Sequence, residues 1–112
     1  MVILHSARLT KWLSGNFASA MALFPIILVR EARLKNDKVL INHEKIHIRQ
    51  QIEMLVVFFY VWYVAEFLLR LWQYKNRRVA YENISFEREA YACETDEHYL
   101  SRRPFWQFLR YF

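Results

Sequence analysis

The stretch His43-Glu44-Lys45-Ile46-His47 carries two imidazoles four residues apart, with a carboxylate directly after the first. On a helix, positions i and i+4 share a face and lie about 6 Å apart along the axis. The two rings therefore converge on one point, which is what a metal ion such as zinc needs. Glu44 projects from an adjacent side of the same helix, where a carboxylate can take a proton from activated water. The plain structural alternative is a helix with two partly buried histidines and a surface ion pair from Glu44 to Lys45 or Arg49.

Around the motif the chain reads as helical. Gly15, Pro25 and Pro104 are its only Gly and Pro residues, so 26–103 lacks the strongest breakers. Asn42 is the expected N-cap of the motif helix. Ile48, Ile52, Leu55 and Phe59 recur at helical spacing as its core stripe, leaving His43, His47 and Gln50 or Gln51 on another side. Ahead of it, the β-branched run 25–30 and the segment 38–41 read as paired short strands. Ser6 to Phe17 reads as an amphipathic helix with Leu9, Trp12 and Leu13 on one side, ending near Gly15.

Downstream, 54–65 is apolar throughout, about twelve residues against the roughly 20 of a spanning helix. Glu66 and Arg70, spaced i and i+4, can neutralise each other. Trp62, Trp72 and Tyr74 with Lys75, Arg77 and Arg78 suit a headgroup boundary, so this helix is expected to be buried or to lie at an interface. Asn83 or Ser85 is the expected cap of a third helix reaching about Leu100, and Pro104 closes it. The aromatic tail 105–112 either packs back or rests on lipid.

A single domain over 1–112 is expected, with aromatic amphipathic segments at both ends. The fold class is α+β and predominantly α-helical. The chain is 55% hydrophobic and 18% aromatic, more than a small soluble interior needs. Its 16 Lys and Arg against 11 Asp and Glu favour an anionic membrane surface. The basic residues are scattered and no nucleic-acid motif appears, so nucleic acid is not the expected partner. Cys93 is the only cysteine, which excludes an intramolecular disulfide framework. The apolar stretch 17–29 contains Pro25 and no cleavage site follows it. It reads as part of the fold, with a cytoplasmic location or one peripheral to the inner membrane.

Two histidines are too few for a catalytic zinc, which usually takes three protein ligands. Glu87 and Glu89 are the downstream candidates, about 200° apart on a helix, so only one can face the metal. Ala90 and Ala92, each three residues on, would both permit close helix approach, and spacing does not choose between the two. Both carboxylates also suit a first helical turn without any metal. His5 and His98 are further candidate ligands.

With His43-Glu44-Lys45-Ile46-His47 and Glu87-Arg88-Glu89-Ala90 together, the chain resembles the gluzincin class of zinc metallopeptidases. It is most similar to minimal gluzincin scaffolds and the related catalytic domains of membrane-embedded peptidases. The second segment matches the start of their E-x-x-A-D pattern and departs at Tyr91, where aspartate is usual. The resemblance implies a zincin-like domain binding Zn2+ through His43, His47 and Glu87, with Glu89 as runner-up. It further implies Glu44 as general base and a peptide or protein substrate. A strand before the motif helix commonly pairs with extended substrate in that class, and Ile26 to Arg30 would be the counterpart here. Tyr91, Tyr99, His98 and Arg88 are the candidate oxyanion donors. The competing expectation is a membrane-associated interaction protein with a structural or vestigial metal site and no catalysis.

Overall fold

The computed structural model describes residues 2–14 and 19–112. It is mostly helical, with a small three-stranded sheet formed near the start of the chain. β1 (Val2–His5) leads into α1 (Ala7–Ser14), while β2 (Ala20–Leu23) and β3 (Ile26–Val29) make a hairpin. The strand order is β1-β3-β2. β3 is therefore the central strand, parallel to β1 and antiparallel to β2. Ile27, Leu28 and Val29 are buried, as a continuous apolar run in a central strand should be.

This corrects two expectations. Ile26 to Arg30 cannot offer an edge to a substrate, because neighbours occupy both sides of Ile26–Val29. The edge strands are β1 and β2, and β2 is the one nearer α2. Nor is 38–41 a strand: the Asp37 side chain accepts from Leu40 N at 3.1 Å and caps α2 (Lys38–Glu53), which starts well before Asn42. Asn42 instead donates from its side chain to the carbonyls of Glu94 and Asp96, at 2.9 and 3.0 Å.

α2 is the hub. Ile41 and Ile48 pack with Ala22, Ile27, Val29 and Leu34 on the sheet side. Ile46 packs on another side with Ala90 and Tyr99. The expected stripe stops after Ile48: Ile52 and Leu55 are exposed, and Met54 is buried in their place. The cause is a break at 54–56, where Leu55 and Val56 take φ of 55° and 60°, beyond which α3 (Val57–Tyr74) sets off at 112° to α2. Positive φ in a β-branched residue is strained, and no glycine marks the bend. Among the described residues no single helix is long and apolar enough to cross a membrane.

α4 (Arg77–Glu82) is capped by Asn76, whose side chain accepts from Val79 N at 3.1 Å. α5 (Ser85–Cys93) ends well short of Leu100, and α6 (Tyr99–Arg102) is a separate short helix. Between them the Asp96 carboxylate accepts from His98 N at 3.0 Å and holds a turn. Neither Asn83 nor Ser85 caps α5 through its side chain. The cap comes from α3: Glu66 accepts from Ser85 N and from Ser85 Oγ, both at 2.6 Å. Arg70, on the same buried side, is 3.2 Å from that carboxylate.

The aromatic tail packs back through Phe108, fully buried beside Phe86 and Trp62, while Phe105, Leu109 and Phe112 stay exposed. In α1 it is Thr10 that is buried, and Leu9 and Trp12 face outward. The expected side-chain role of Leu13, and the helix end near Gly15 and Phe17, lie outside the described residues.

Candidate metal centre

α2 and α5 bring three ligand atoms together. His43 Nε2 and His47 Nε2 lie 3.2 Å apart, and Glu87 Oε1 is 3.1 Å from each. All three residues are buried, as is Glu44, whose carboxylate lies within 4.8 Å of the ring nitrogens. Close approach of α5 is permitted by Ala90, fully buried next to Ile46; Ala92 is exposed and takes no part.

The hydrogen bonds behind the rings fix their tautomers. Gln50 Nε2 donates to Phe86 O at 3.2 Å and to Glu89 Oε1 at 2.9 Å, so its Oε1 faces His47 Nδ1 at 2.8 Å. That nitrogen must then carry a proton, and His47 Nε2 is left with its lone pair. On His43, Nδ1 lies 2.7 Å from Glu94 Oε2 and donates to it, leaving Nε2 as an acceptor too. Glu87 is oriented likewise, since Tyr63 OH donates to its other oxygen at 2.7 Å.

With both imidazoles neutral, three lone-pair atoms face one another with no donor among them. A cation relieves that repulsion. Ligand atoms bound tetrahedrally at about 2.05 Å would stand about 3.3 Å apart, close to the 3.1 to 3.2 Å found here. The His-Glu-x-x-His group can therefore hold a metal ion.

Where no metal ion is bound, a proton on His47 takes the cation's place beside Glu87. Burial lowers the pKa of His47, but the Glu87 carboxylate outweighs it and lifts the imidazole to about 9. Burial opposes ionisation of Glu87 as well, yet His47 and His43 hold it below the usual carboxylate range. Glu44 behaves oppositely: burial raises its pKa, and the two histidines only partly offset that.

Glu89 points away from the cluster. It is fully buried and accepts from Tyr99 OH at 2.6 Å and Arg103 Nη2 at 3.0 Å, with a second bond from Arg103 Nε. Arg103 Nη1 continues to Glu53 at 2.6 Å. Through Gln50, Glu89 supports His47 from behind. His5 and His98 are exposed and stand apart from the site.

A cavity of about 380 Å³ opens on the cluster, and Glu44, His47, Glu87, Tyr60, Tyr63 and Tyr81 are among the residues lining it. β2 forms one wall through Ala20, Met21 and Ala22. Ser19 O accepts from Arg30 N on the sheet side, so strand alternation turns the backbone groups of Ala20 and Ala22 outward. Ala22 O indeed accepts from Gln51 Nε2 at 2.8 Å and Tyr60 OH at 3.0 Å. Of the candidate oxyanion donors, Tyr99 is committed to Glu89, and Arg88 to Asn83 and the carbonyls of Tyr111 and Phe112. His98 is exposed, and Tyr91 stands edge-on to His43. None of the four lines the cavity; Tyr81 and Arg77 do.

Sequence reasoning missed Glu94, Tyr63 and Tyr81. Glu94 had a legible signal, since seven residues after Glu87 is two helical turns and the same face. Tyr63 and Tyr81 had none, because their positions depend on the bend after α2.

The fold and the cluster together define a mostly helical α+β protein with a buried His-Glu-x-x-His group that could hold a metal ion. No family model, curated protein or solved structure matches the chain.

Proposed function

We propose that this chain is a small zinc-dependent peptidase with a zincin-like arrangement of the gluzincin kind. The observation that carries the reading is the triangle of His43 Nε2, His47 Nε2 and Glu87 Oε1, with Glu44 beside it at the same cavity. Two imidazoles and one carboxylate form a donor set that suits zinc, with room for a fourth position. When bound, zinc supplies the Lewis acidity that acidifies water and polarises a carbonyl.

The remaining steps belong to the protein. Glu44 takes a proton from the attacking water at its carboxylate and passes it to the departing amine. Its raised pKa brings it toward the range in which one carboxyl can do both. Glu94 and Gln50 hold the rings in the tautomers that aim Nε2 inward. Tyr81, whose hydroxyl is kept protonated by burial and by Glu87, is the donor for the developing oxyanion by exchanging its hydrogen bond with Tyr91, with Arg77 at the same cavity. The outward backbone groups of Ala20 receive an extended peptide, Ala22 O being held by Gln51 and Tyr60, and Phe59, Val64 and Phe67 give it an apolar subsite.

The reading is tested on chain purified without added metal, by metal analysis and by cleavage of an unfolded generic protein. About one zinc per chain is expected. Cleavage should be lost with a chelator, restored by zinc, and absent in Glu44→Gln with its zinc retained. A wild type without bound metal sinks the proposal.

A second reading has one observation in its favour. His43, Glu44, His47 and Glu87 are only 3–5% exposed, as in a structural site. On that reading the chain is an interaction protein whose metal is not catalytic. Retained zinc with no cleavage, and no effect of Glu44→Gln, would establish it.

A further inference from the structure

α3 is inverted with respect to water. Its two charged residues, Glu66 and Arg70, are 3% and 7% exposed, and both point into the protein. On the opposite side Val57, Phe58, Val61, Val64, Leu68 and Trp72 are 55–75% exposed. At about 100° per residue these six fall within an arc of about 120°, and Ala65, the only other residue in that arc, is apolar too. A helix that faces water carries its charges on the outer face. This one uses its charges as internal ties and presents only hydrocarbon and one indole.

Two neighbouring features say what covers this face. A shallow groove of about 430 Å³ runs beside it, lined by Met54, Phe58, Val61, Trp62, Leu69 and Phe112. The groove is of a size and chemistry to take acyl-chain segments. At the C-terminal end of the arc, Trp72 and Tyr74 are followed by Lys75, Arg77 and Arg78, all exposed, in a chain of net charge +5. Aromatic rings next to cations are what a headgroup layer selects, and the cations are complementary to anionic lipid. A second copy docked through its own α3 would bring the same basic cluster, and the only acid of α3, Glu66, is buried.

We propose that the outer face of α3 docks on an anionic lipid bilayer, lying along its surface with the apolar arc in the acyl boundary and Lys75 and Arg78 among the headgroups. At 18 residues α3 is about 27 Å long, which suits this posture. Val64 belongs both to the arc and to the cavity wall, so the cleft opens beside the bilayer. The proposal stands on surface chemistry alone and does not depend on the peptidase reading.

The test is flotation of the full chain with vesicles of phosphatidylcholine alone and of phosphatidylcholine with phosphatidylglycerol, at low and high salt. Most of the protein should float with the anionic vesicles at low salt, and severalfold less with the neutral ones or at high salt. Phe58→Glu with Val61→Glu and Leu68→Glu changes only exposed positions, and should abolish flotation while leaving the far-UV circular dichroism unchanged. Lys75→Glu with Arg78→Glu should reduce flotation on anionic vesicles alone. Protein that stays soluble with anionic vesicles at low salt overturns the proposal. So does a dimer that ignores vesicles and that the triple variant turns into a monomer, since a second copy would then be the occupant.

Discussion

Glu94 Oε2 lies 2.7 Å from His43 Nδ1, and this contact decides which nitrogen of the ring faces the cluster. An acceptor behind the ring fixes the tautomer and raises ligand basicity, and losing one typically lowers metal affinity by about 10- to 100-fold. Glu94→Ala should fall in that range in a competition titration against a chromophoric chelator. Glu94→Gln, which keeps an acceptor oxygen, should fall less. Unchanged affinity in both would mean that His43 is held another way.

Glu87 and Glu89 separate cleanly by experiment. Glu87→Ala removes one corner of the triangle and should lower metal content sharply, because His43 and His47 are left with Glu44 alone beside them. Glu89→Ala leaves Arg103 buried with Glu53 as its remaining carboxylate partner. Breaking a buried pair in this way costs about 3–5 kcal/mol. Glu89→Ala is therefore expected to lower the denaturation midpoint sharply, whereas Glu87→Ala should be read mainly in metal content. The reverse pattern would exchange their roles.

Gln51 ties the edge strand to the motif helix. Its amide donates to Ala22 O at 2.8 Å and accepts from Phe24 N at 2.8 Å. Gln51→Leu leaves Phe24 N without its acceptor and Ala22 O with Tyr60 OH alone, at about 1–3 kcal/mol for an unsatisfied buried group. Beyond that loss in urea denaturation, the variant should raise KM for any peptide substrate more than it lowers kcat, because the strand wall is what moves. An unaltered KM in folded protein would count against β2 as the docking edge.

Glu66 holds the start of α5 from a different helix. Trp62 Nε1, Ser85 N, Ser85 Oγ and Arg70 Nη2 all donate to it. Glu66→Ala takes the carboxylate partner from the buried Arg70, which keeps only Gln73 Oε1 and Phe112 O as acceptors, and uncaps the helix that carries Glu87, so about 3–5 kcal/mol of stability should go. Zinc affinity should fall with it. Ser85→Ala removes one of these bonds and is expected to cost about 1 kcal/mol, with affinity nearly unchanged. Equal effects from both variants would show that Arg70 does not depend on Glu66.

Much of the candidate centre was legible because it is local. His43, Glu44 and His47 share one helix, and a four-residue period places them without any tertiary information. The mainly helical character also followed from the scarcity of Gly and Pro, and the strand part from the β-branched run 25–30. The boundaries did not follow. Asp37 displaced Asn42 as the cap, and the break at Leu55 and Val56 carries no breaker residue, so the periodicity of Ile48, Ile52, Leu55 and Phe59 ran past the end of its helix. Glu66 and Arg70 read as a simple i, i+4 pair, yet the residue they serve is Ser85.

By itself, then, the sequence determined the converging pair of imidazoles, the adjacent carboxylate and the helical setting, all of which are set by spacing along one helix. Only the tertiary structure decided that Glu87 meets the rings while Glu89 turns to Arg103, that Ile26–Val29 is the centre of the sheet and Ala20–Leu23 an edge, and that Tyr63 and Tyr81 reach the cavity. Those outcomes depend on how α2, α3 and α5 pack after a bend of 112°. A bend stabilised by contacts between distant residues leaves no periodic trace in the chain that makes it.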